Sequence, residues 1–315
     1  MRKMLVASAA LVVTLTASPP VGAVNGPLDG NAHPNVGVML VQDSDGEIFE
    51  FCGGVLISPT VFLTNYNCPG AVAFAQSIGG RAVITFEPVL PWPPEGSGFR
   101  TVDAGFVHPD ANPNNGTNLY GIAVLARPVR GISPAQLPTL HQLASIGKGE
   151  PLTVVGYGDN SRRSATVAIA KIDPDMIALL NNTSATGQGG ACDDGGSPYF
   201  LGDSNIAVAV ADGETGQCNA ISWAFRNDQE TARSFFDDFV TVPCRGSNVG
   251  PRAGEADRSP ERPLRHPFPT LPEYRSFSSR CCHVCPPNWM RAVINVATLS
   301  RIRGPIRPTP TSVMS

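Results

Sequence analysis

Cysteine is the residue type whose number and spacing point most directly to chemistry here, with eight in 315 residues. Cys52 and Cys68 enclose two apolar, β-prone runs, residues 55–57 and 61–63, separated by a Ser-Pro step at 58–59. This spacing predicts two paired strands closed by a disulfide.

A second group of possible ligands, Cys281, Cys282, His283 and Cys285, lies close together near the C-terminus. Zinc prefers such ligands, but this spacing is tighter than ordinary paired Cys-x-x-Cys ligation. We therefore favour disulfides or unpaired thiols over zinc, leave the pairing of these cysteines and Cys244 open, and expect no metal and no cofactor.

The N-terminus has the pattern of a secretory signal. Arg2 and Lys3 precede an apolar run over residues 4–15, and small residues at 21–23 suit cleavage. A membrane anchor is the alternative, but the run is too short and breaks at the prolines of 19–20. We expect a signal peptide over residues 1–23, a secreted protein compatible with disulfides, and no membrane association after cleavage.

The charge is unevenly distributed. Residues 244–315 hold eleven Arg, no Lys and four acidic residues, a net +7, whereas the whole chain carries −3 and residues 1–243 therefore −10. This Arg- and Pro-rich segment has no sustained period, so we predict a disordered tail. Its Arg bias also permits binding to an acidic surface, but an irregular solvated extension is preferred, and no nucleic-acid partner is expected.

The elements that would position any site are short apolar runs with turn signals between them, which predict an all-β sandwich or barrel. Residues 127–140, with three prolines, look like a linker between two sets of strands. A helix is predicted over 228–240, capped by Asp228. The predicted strands are 36–41, 55–57, 61–63, 82–86, 102–107, 122–125, 152–157, 165–172, 175–180, 199–201, 206–210 and 221–225.

Five landmarks follow one another in a familiar order. They are the Cys-Gly-Gly and Ser-Pro of segment 51–70, ending Thr-Asn-Tyr-Asn-Cys; Gly-Ile-Ala-Val-Leu at 121–125; Val-Gly-Tyr-Gly at 155–158; Cys-Asp-Asp-Gly-Gly-Ser-Pro at 192–198; and the helix. Together they resemble the chymotrypsin/trypsin-like serine proteases. The resemblance covers residues 24–243 and implies two packed antiparallel β-barrels, about 24–135 and 136–243, with a cleft between them.

The resemblance also assigns the catalytic positions. In the family a serine attacks, a histidine takes its proton, and a buried aspartate orients the histidine. Those positions here read Gly195, Asn67 and Gly121. Glycine has no side chain, and a carboxamide is not a usable base near neutral pH. The prediction is a secreted, catalytically inactive homologue, a pseudoprotease.

The alternative is an active secreted serine endopeptidase. A shifted alignment makes Ser197 the nucleophile, but Ser197 then stands two positions late, directly before Pro198, and still lacks a base. No histidine occupies a position that the family would use, and each is interpreted as a surface or turn residue. The histidines are His33, His108, His141, His266 and His283.

The family pattern implies three further features. Cys192 and Cys218 would form a bridge beside the nucleophile loop, in addition to Cys52–Cys68. Cleavage after the signal peptide would free the amine of Val24 to pair with Asp194. A monomer that binds a peptide or protein ligand in the cleft between the barrels is the expected state.

Overall fold

The part of the chain described by the computed structural model consists of residues 24–157, 160–181, 188–191, 195–212 and 221–240. Several sequence-based predictions therefore lie outside the described residues. They are the signal peptide at 1–23, the tail at 244–315, the Cys192–Cys218 bridge, and Asp194 with its proposed pairing.

Six antiparallel strands close into a first barrel. After a short β1 (Val24–Asn25), they are β2 (Val36–Gln42), β3 (Ile48–Ser58), β4 (Val61–Asn65), β5 (Arg81–Thr85), β6 (Phe99–Val107) and β7 (Tyr120–Leu125). Their order around the barrel is β2-β3-β4-β7-β6-β5. A turn joins β2 to β3: Asp43 N donates to Glu47 O at 3.0 Å, and Gly46 supplies a φ of 87°.

Six further antiparallel strands close into a second barrel. They are β8 (Pro151–Tyr157), β9 (Arg162–Ile172), β10 (Met176–Leu180), β12 (Pro198–Leu201), β13 (Ala207–Ala211) and β14 (Ile221–Arg226). Their order around the barrel is β10-β14-β13-β12-β8-β9. A separate strand, β11 (Gly189–Ala191), pairs with β1 so that Val24 lies opposite Ala191.

The two barrels share one hydrophobic cluster. It joins Val55 and Leu63 of the first barrel to Val155 and Phe200 of the second. All four side chains are fully buried, and burying apolar surface in this way contributes about 25 cal/mol per Å² to stability. The expected fold of two packed antiparallel barrels with a C-terminal helix is confirmed.

One helix was not predicted from the sequence. Helix α1 (Asn67–Ser77) follows β4, and Gly79, whose φ is 80°, lies just beyond its C-terminal end. Its apolar residues lie on every side, including the exposed Phe74, so the helical period is hidden. No helix in the described part of the chain is both long and apolar enough to cross a membrane.

Helix α2 (Glu230–Val240) matches the predicted helix, but Asp228 has a different role from the expected cap. Its carboxylate accepts hydrogen bonds from Leu143 N at 2.7 Å and from the Arg226 guanidinium at 2.9 and 3.0 Å. The carboxylate is fully buried and paired with a cation. Asp228 therefore ties the segment before α2 to the 3₁₀ helix at Gln142–Ser145.

Candidate functional site

The positions assigned to the catalytic residues lie around one buried residue, Asn65, at the end of β4, with Gly195 directly preceding Gly196. Asn65 Oδ1 accepts a hydrogen bond from Asn67 N at 3.1 Å, and its Nδ2 donates to Ala211 O at 3.5 Å in the second barrel. Its backbone lies beside Gly121 and Gly196. The structure therefore brings the sequence-predicted site together at the junction between the two barrels.

Asn67 is the first residue of α1, and its side chain is exposed. Asn65 Oδ1 satisfies the otherwise unpaired N–H of Asn67, as side chains at helix N-termini commonly do. The Asn67 carboxamide can donate or accept hydrogen bonds with a bound molecule, but it cannot remove a proton from a hydroxyl at neutral pH.

Gly121 has no space for a side chain. A Cβ built on this residue would lie 2.5 Å from Asn65 O, 2.5 Å from Pro69 Cγ and 2.7 Å from Pro69 Cδ. Real Cβ atoms do not approach other heavy atoms so closely, so any larger residue must displace backbone or the proline ring. The pyrrolidine ring of Pro69 therefore occupies the volume that an aspartate at this position would need.

The turn at 195–197 is fixed by backbone hydrogen bonds. Gly53 N donates to Gly195 O at 3.0 Å, Gly196 N donates to Ala211 O at 3.1 Å, and Ala211 N donates to Ser197 O at 2.8 Å. Gly196 has a φ of 93°, and a Cβ there would lie 2.2 Å from Gly53 O. The positive φ and the close approach of Gly53 O therefore both require glycine at position 196.

Ser197 is enclosed. Its relative exposure is 0%, and its Oγ has no hydrogen-bond partner among the described residues. A buried hydroxyl without a partner costs about 1–3 kcal/mol. A substrate carbonyl cannot reach this oxygen without displacing the protein around it.

The described histidines make no hydrogen bond with Ser197 Oγ, and His108, expected to be a surface or turn residue, is instead buried. His108 Nδ1 accepts a hydrogen bond from Asp110 N at 3.1 Å, and its Nε2 lies 3.3 Å from Thr231 O. Burial lowers the pKa of His108, while the Thr231 carbonyl opposes this shift. His141 is exposed, with its Nε2 3.8 Å from Glu230 Oε1.

Sequence reasoning missed a buried charge cluster around Arg162. Its Nε donates to Asp29 Oδ2 at 3.1 Å, and both side chains have an exposure of 0%. Its Nη1 donates to Val36 O at 3.0 Å and to Tyr157 Oη at 3.3 Å. No local pattern could have revealed this cluster, because Asp29 and Arg162 are 133 positions apart.

Asp29 is also bound by His33, whose Nδ1 lies 2.6 Å from Asp29 Oδ1. Burial alone would raise the pKa of Asp29, but the hydrogen bonds from His33 and the charges of His33 and Arg162 outweigh it and lower that pKa. In the same cluster, burial raises the pKa of Tyr157 to about 12. The Asp29 carboxylate is therefore held ionised inside the protein.

The disulfide Cys52–Cys68 is present as predicted. The Glu50 carboxylate lies 3.6 Å from Cys52 Sγ, and burial raises the pKa of Glu50. Possible ligand atoms of Glu50, Cys52 and Cys68 lie close together, as in a metal site. A metal binds cysteine as the thiolate, however, and these two sulfurs are bonded to each other in the disulfide.

The fold and the arrangement around Asn65 define a protein of the chymotrypsin-like serine protease class. A family model described as Trypsin matches residues 29–224. The chain belongs to the trypsin family.

Solved structures with the same fold include HL collagenase, with a TM-score of 0.55 and 17% identity over 70% of this chain and 99% of the other. Human heparin binding protein has a TM-score of 0.53 and 19% identity, covering 73% of this chain and 100% of its own. A scabies mite inactivated protease paralogue has a TM-score of 0.52 and 18% identity, covering 68% of this chain and 97% of its own. No curated protein sequence matches the chain.

Proposed function

We propose that this chain is a secreted trypsin-family protein without protease chemistry, which acts as a monomer by binding a peptide or protein in the cleft between its barrels. The observation that carries the proposal is the enclosure of Ser197 at 0% exposure. It is the serine of the 195–198 turn, so no nucleophilic oxygen is available where the family places one. Gly195 and Gly121 supply no side chain.

The large contribution of the catalytic triad to kcat supports this proposal. Removing the whole triad of a serine protease lowers kcat by about 10⁶. At about 1.36 kcal/mol per tenfold change, this corresponds to roughly 8 kcal/mol of transition-state stabilisation. Binding and an oxyanion hole alone leave about 10³–10⁴ over water in such variants, which is far too little for efficient proteolysis.

Fluorophosphonate labelling tests the absence of an activated serine. The purified secreted protein is incubated with the reagent and mapped by mass spectrometry, beside an active trypsin-family protease as positive control. We expect no adduct on a folded protein whose Cys52–Cys68 bridge is intact. An adduct on Ser197 that disappears in Ser197→Ala would overturn the proposal and establish the endopeptidase alternative.

Two of the solved structures with this fold are described as an inactivated protease paralogue and as a heparin binding protein. A polyanion such as heparin suits the cleft between the barrels poorly, because residues 24–243, without Arg2 and Lys3 of the predicted signal peptide, carry a net charge of −12. A neutral or basic peptide is the better ligand for the cleft.

A fluorescent peptide library tests cleft binding, with Asn67→Arg as the disrupting variant. Asn67 is exposed beside the junction, so the substitution adds bulk and charge without filling the core. We expect selected peptides to bind the native protein and to lose at least tenfold in affinity for the variant. Equal binding to both proteins would place the ligand elsewhere.

Secretion and the proposed amine pairing are tested together. We expect the N-terminus of the secreted protein to be Val24, whose side chain is fully buried opposite Ala191. One extra residue ahead of Val24 should lower the thermal midpoint if the freed amine pairs with Asp194. An unchanged midpoint would exclude that pairing.

A further inference from the structure

A small cavity opens beside the N-terminal segment. Its volume is about 210 Å³, below the roughly 300–1,000 Å³ of pockets for drug-sized ligands, so it suits a ligand of only a few heavy atoms. Its lining residues are Ala32, His33, Pro34, Asn35, Ser133, Asp203, Ser204 and Asn205.

The His33 imidazole is held in one orientation. Its Nδ1 contacts the buried Asp29 carboxylate at 2.6 Å, and its ring stacks on Phe200 with 5.0 Å between centroids. Because an ionised carboxylate can only accept, Nδ1 carries the hydrogen and donates it. In the neutral ring, Nε2 is then a hydrogen-bond acceptor.

That acceptor lies on the accessible side of a residue that lines the cavity. The His33 side chain is 17% exposed, whereas Asp29, which contacts its Nδ1 edge, is 0% exposed. The exposed part of the ring is therefore the opposite edge. Nε2 has no hydrogen-bond partner among the described residues. It is also not one of their fully buried unpaired atoms, so a ligand can reach it.

The rest of the lining also offers acceptors. Asn35 Nδ2 donates to Asn205 Oδ1 at 2.7 Å, which leaves Asn35 Oδ1 available. Ser133 and Ser204 add hydroxyl oxygens, and the exposed Asp203 adds a carboxylate. Apart from a protonated His33, Asp203 is the one charged group on this lining.

We propose that this cavity binds a small primary ammonium ion. An ammonium group has three N–H donors and no acceptor, which complements His33 Nε2, Asn35 Oδ1 and the Asp203 carboxylate. This proposal concerns a site separate from the cleft around Asn65 and stands whether or not the cleft binds peptides. It gives a role to the buried Asp29–Arg162 pair, which fixes His33.

The test is an NMR titration of the folded protein at pH 8 with n-propylammonium, following the His33 ring signals. Tetramethylammonium has the same charge but no N–H donor, so it is the matched ligand control. We expect saturable shifts with n-propylammonium and none with tetramethylammonium. Equal shifts with both ions, or no saturation, would overturn the proposal.

Two variants localise the ion. Asp203→Asn and His33→Gln should each weaken n-propylammonium binding at least tenfold, whereas Asp45→Asn, an exposed acid on the β2–β3 turn, should leave it unchanged. Asp203 is exposed, so its variant should fold even if His33→Gln does not. Unchanged affinity in Asp203→Asn would show that the ion binds elsewhere.

Discussion

Gly53 N donates a hydrogen bond to Gly195 O at 3.0 Å, joining the strand that carries Cys52 to the residue at the family's serine position. The bond uses only backbone atoms. A side chain at 195 therefore leaves the bond itself in place, and position 195 is half-buried rather than enclosed.

Restoring the family's serine at position 195 should not by itself restore reactivity. Gly195→Ser alone should remain unlabelled by fluorophosphonate, because no base activates the hydroxyl. Asn67→His with Gly195→Ser should be labelled slowly, about 10⁴-fold below an intact protease, since the orienting aspartate is still absent. Labelling kinetics by intact-mass measurement check this, and labelling of the Gly195→Ser single variant would reveal a base that we have not identified.

Gly121→Asp should destabilise the protein instead of improving the site. Its side chain would overlap Pro69 and Asn65, and overpacking costs typically about 1–3 kcal/mol before the burial of a charge is added. Urea unfolding measures the loss. Gly147→Asp is the matched control, because nothing lies within 4 Å of a Cβ there, and it should change stability by less than about 0.5 kcal/mol.

Arg162→Met should cost about 3–5 kcal/mol, because it leaves the Asp29 carboxylate buried without its guanidinium partner. Asp29→Asn with Arg162→Met should cost less than the sum of the two single variants. A double-mutant cycle in urea gives the coupling between the two side chains. A coupling of zero would mean that the pair does not act as a unit.

Stability should fall as the pH drops below about 6.5, the ordinary pKa of histidine. Burial lowers the pKa of His108 in the folded protein, so the unfolded chain takes up a proton first and is favoured by acid. His108→Asn should flatten this dependence between pH 7 and pH 5 in urea unfolding. An unchanged pH slope in the variant would assign the effect to other groups.

The strands and the Cys52–Cys68 bridge were predictable because short apolar runs, turn residues and cysteine spacing are local signals. Helix α1 was missed because its exposed side carries Ala73 and Phe74, and so lacks the fully polar side that marks a surface helix. The prediction that Asp228 caps α2 was wrong, because the guanidinium of Arg226 binds the Asp228 carboxylate.

The positions of the candidate site were assigned from family motifs, but its packing was not predictable. Nothing local shows that Pro69 fills the space at Gly121, or that the Ser197 hydroxyl is enclosed. His33 was interpreted as a surface or turn residue, since its partners Asp29 and Phe200 are identified only by the folded chain. The packing around Gly121, Ser197 and His33 depends on contacts between segments that are distant in the sequence.

The packing of Pro69 against Gly121 has a consequence for evolutionary history. A descendant that acquires an aspartate at 121 by one codon change loses stability unless the proline ring is replaced as well. An intermediate with Pro69 replaced and glycine retained gains nothing in catalysis. A lineage with this pair therefore has to accept a loss of stability, or a second substitution at Pro69, before an aspartate at 121 can contribute to catalysis.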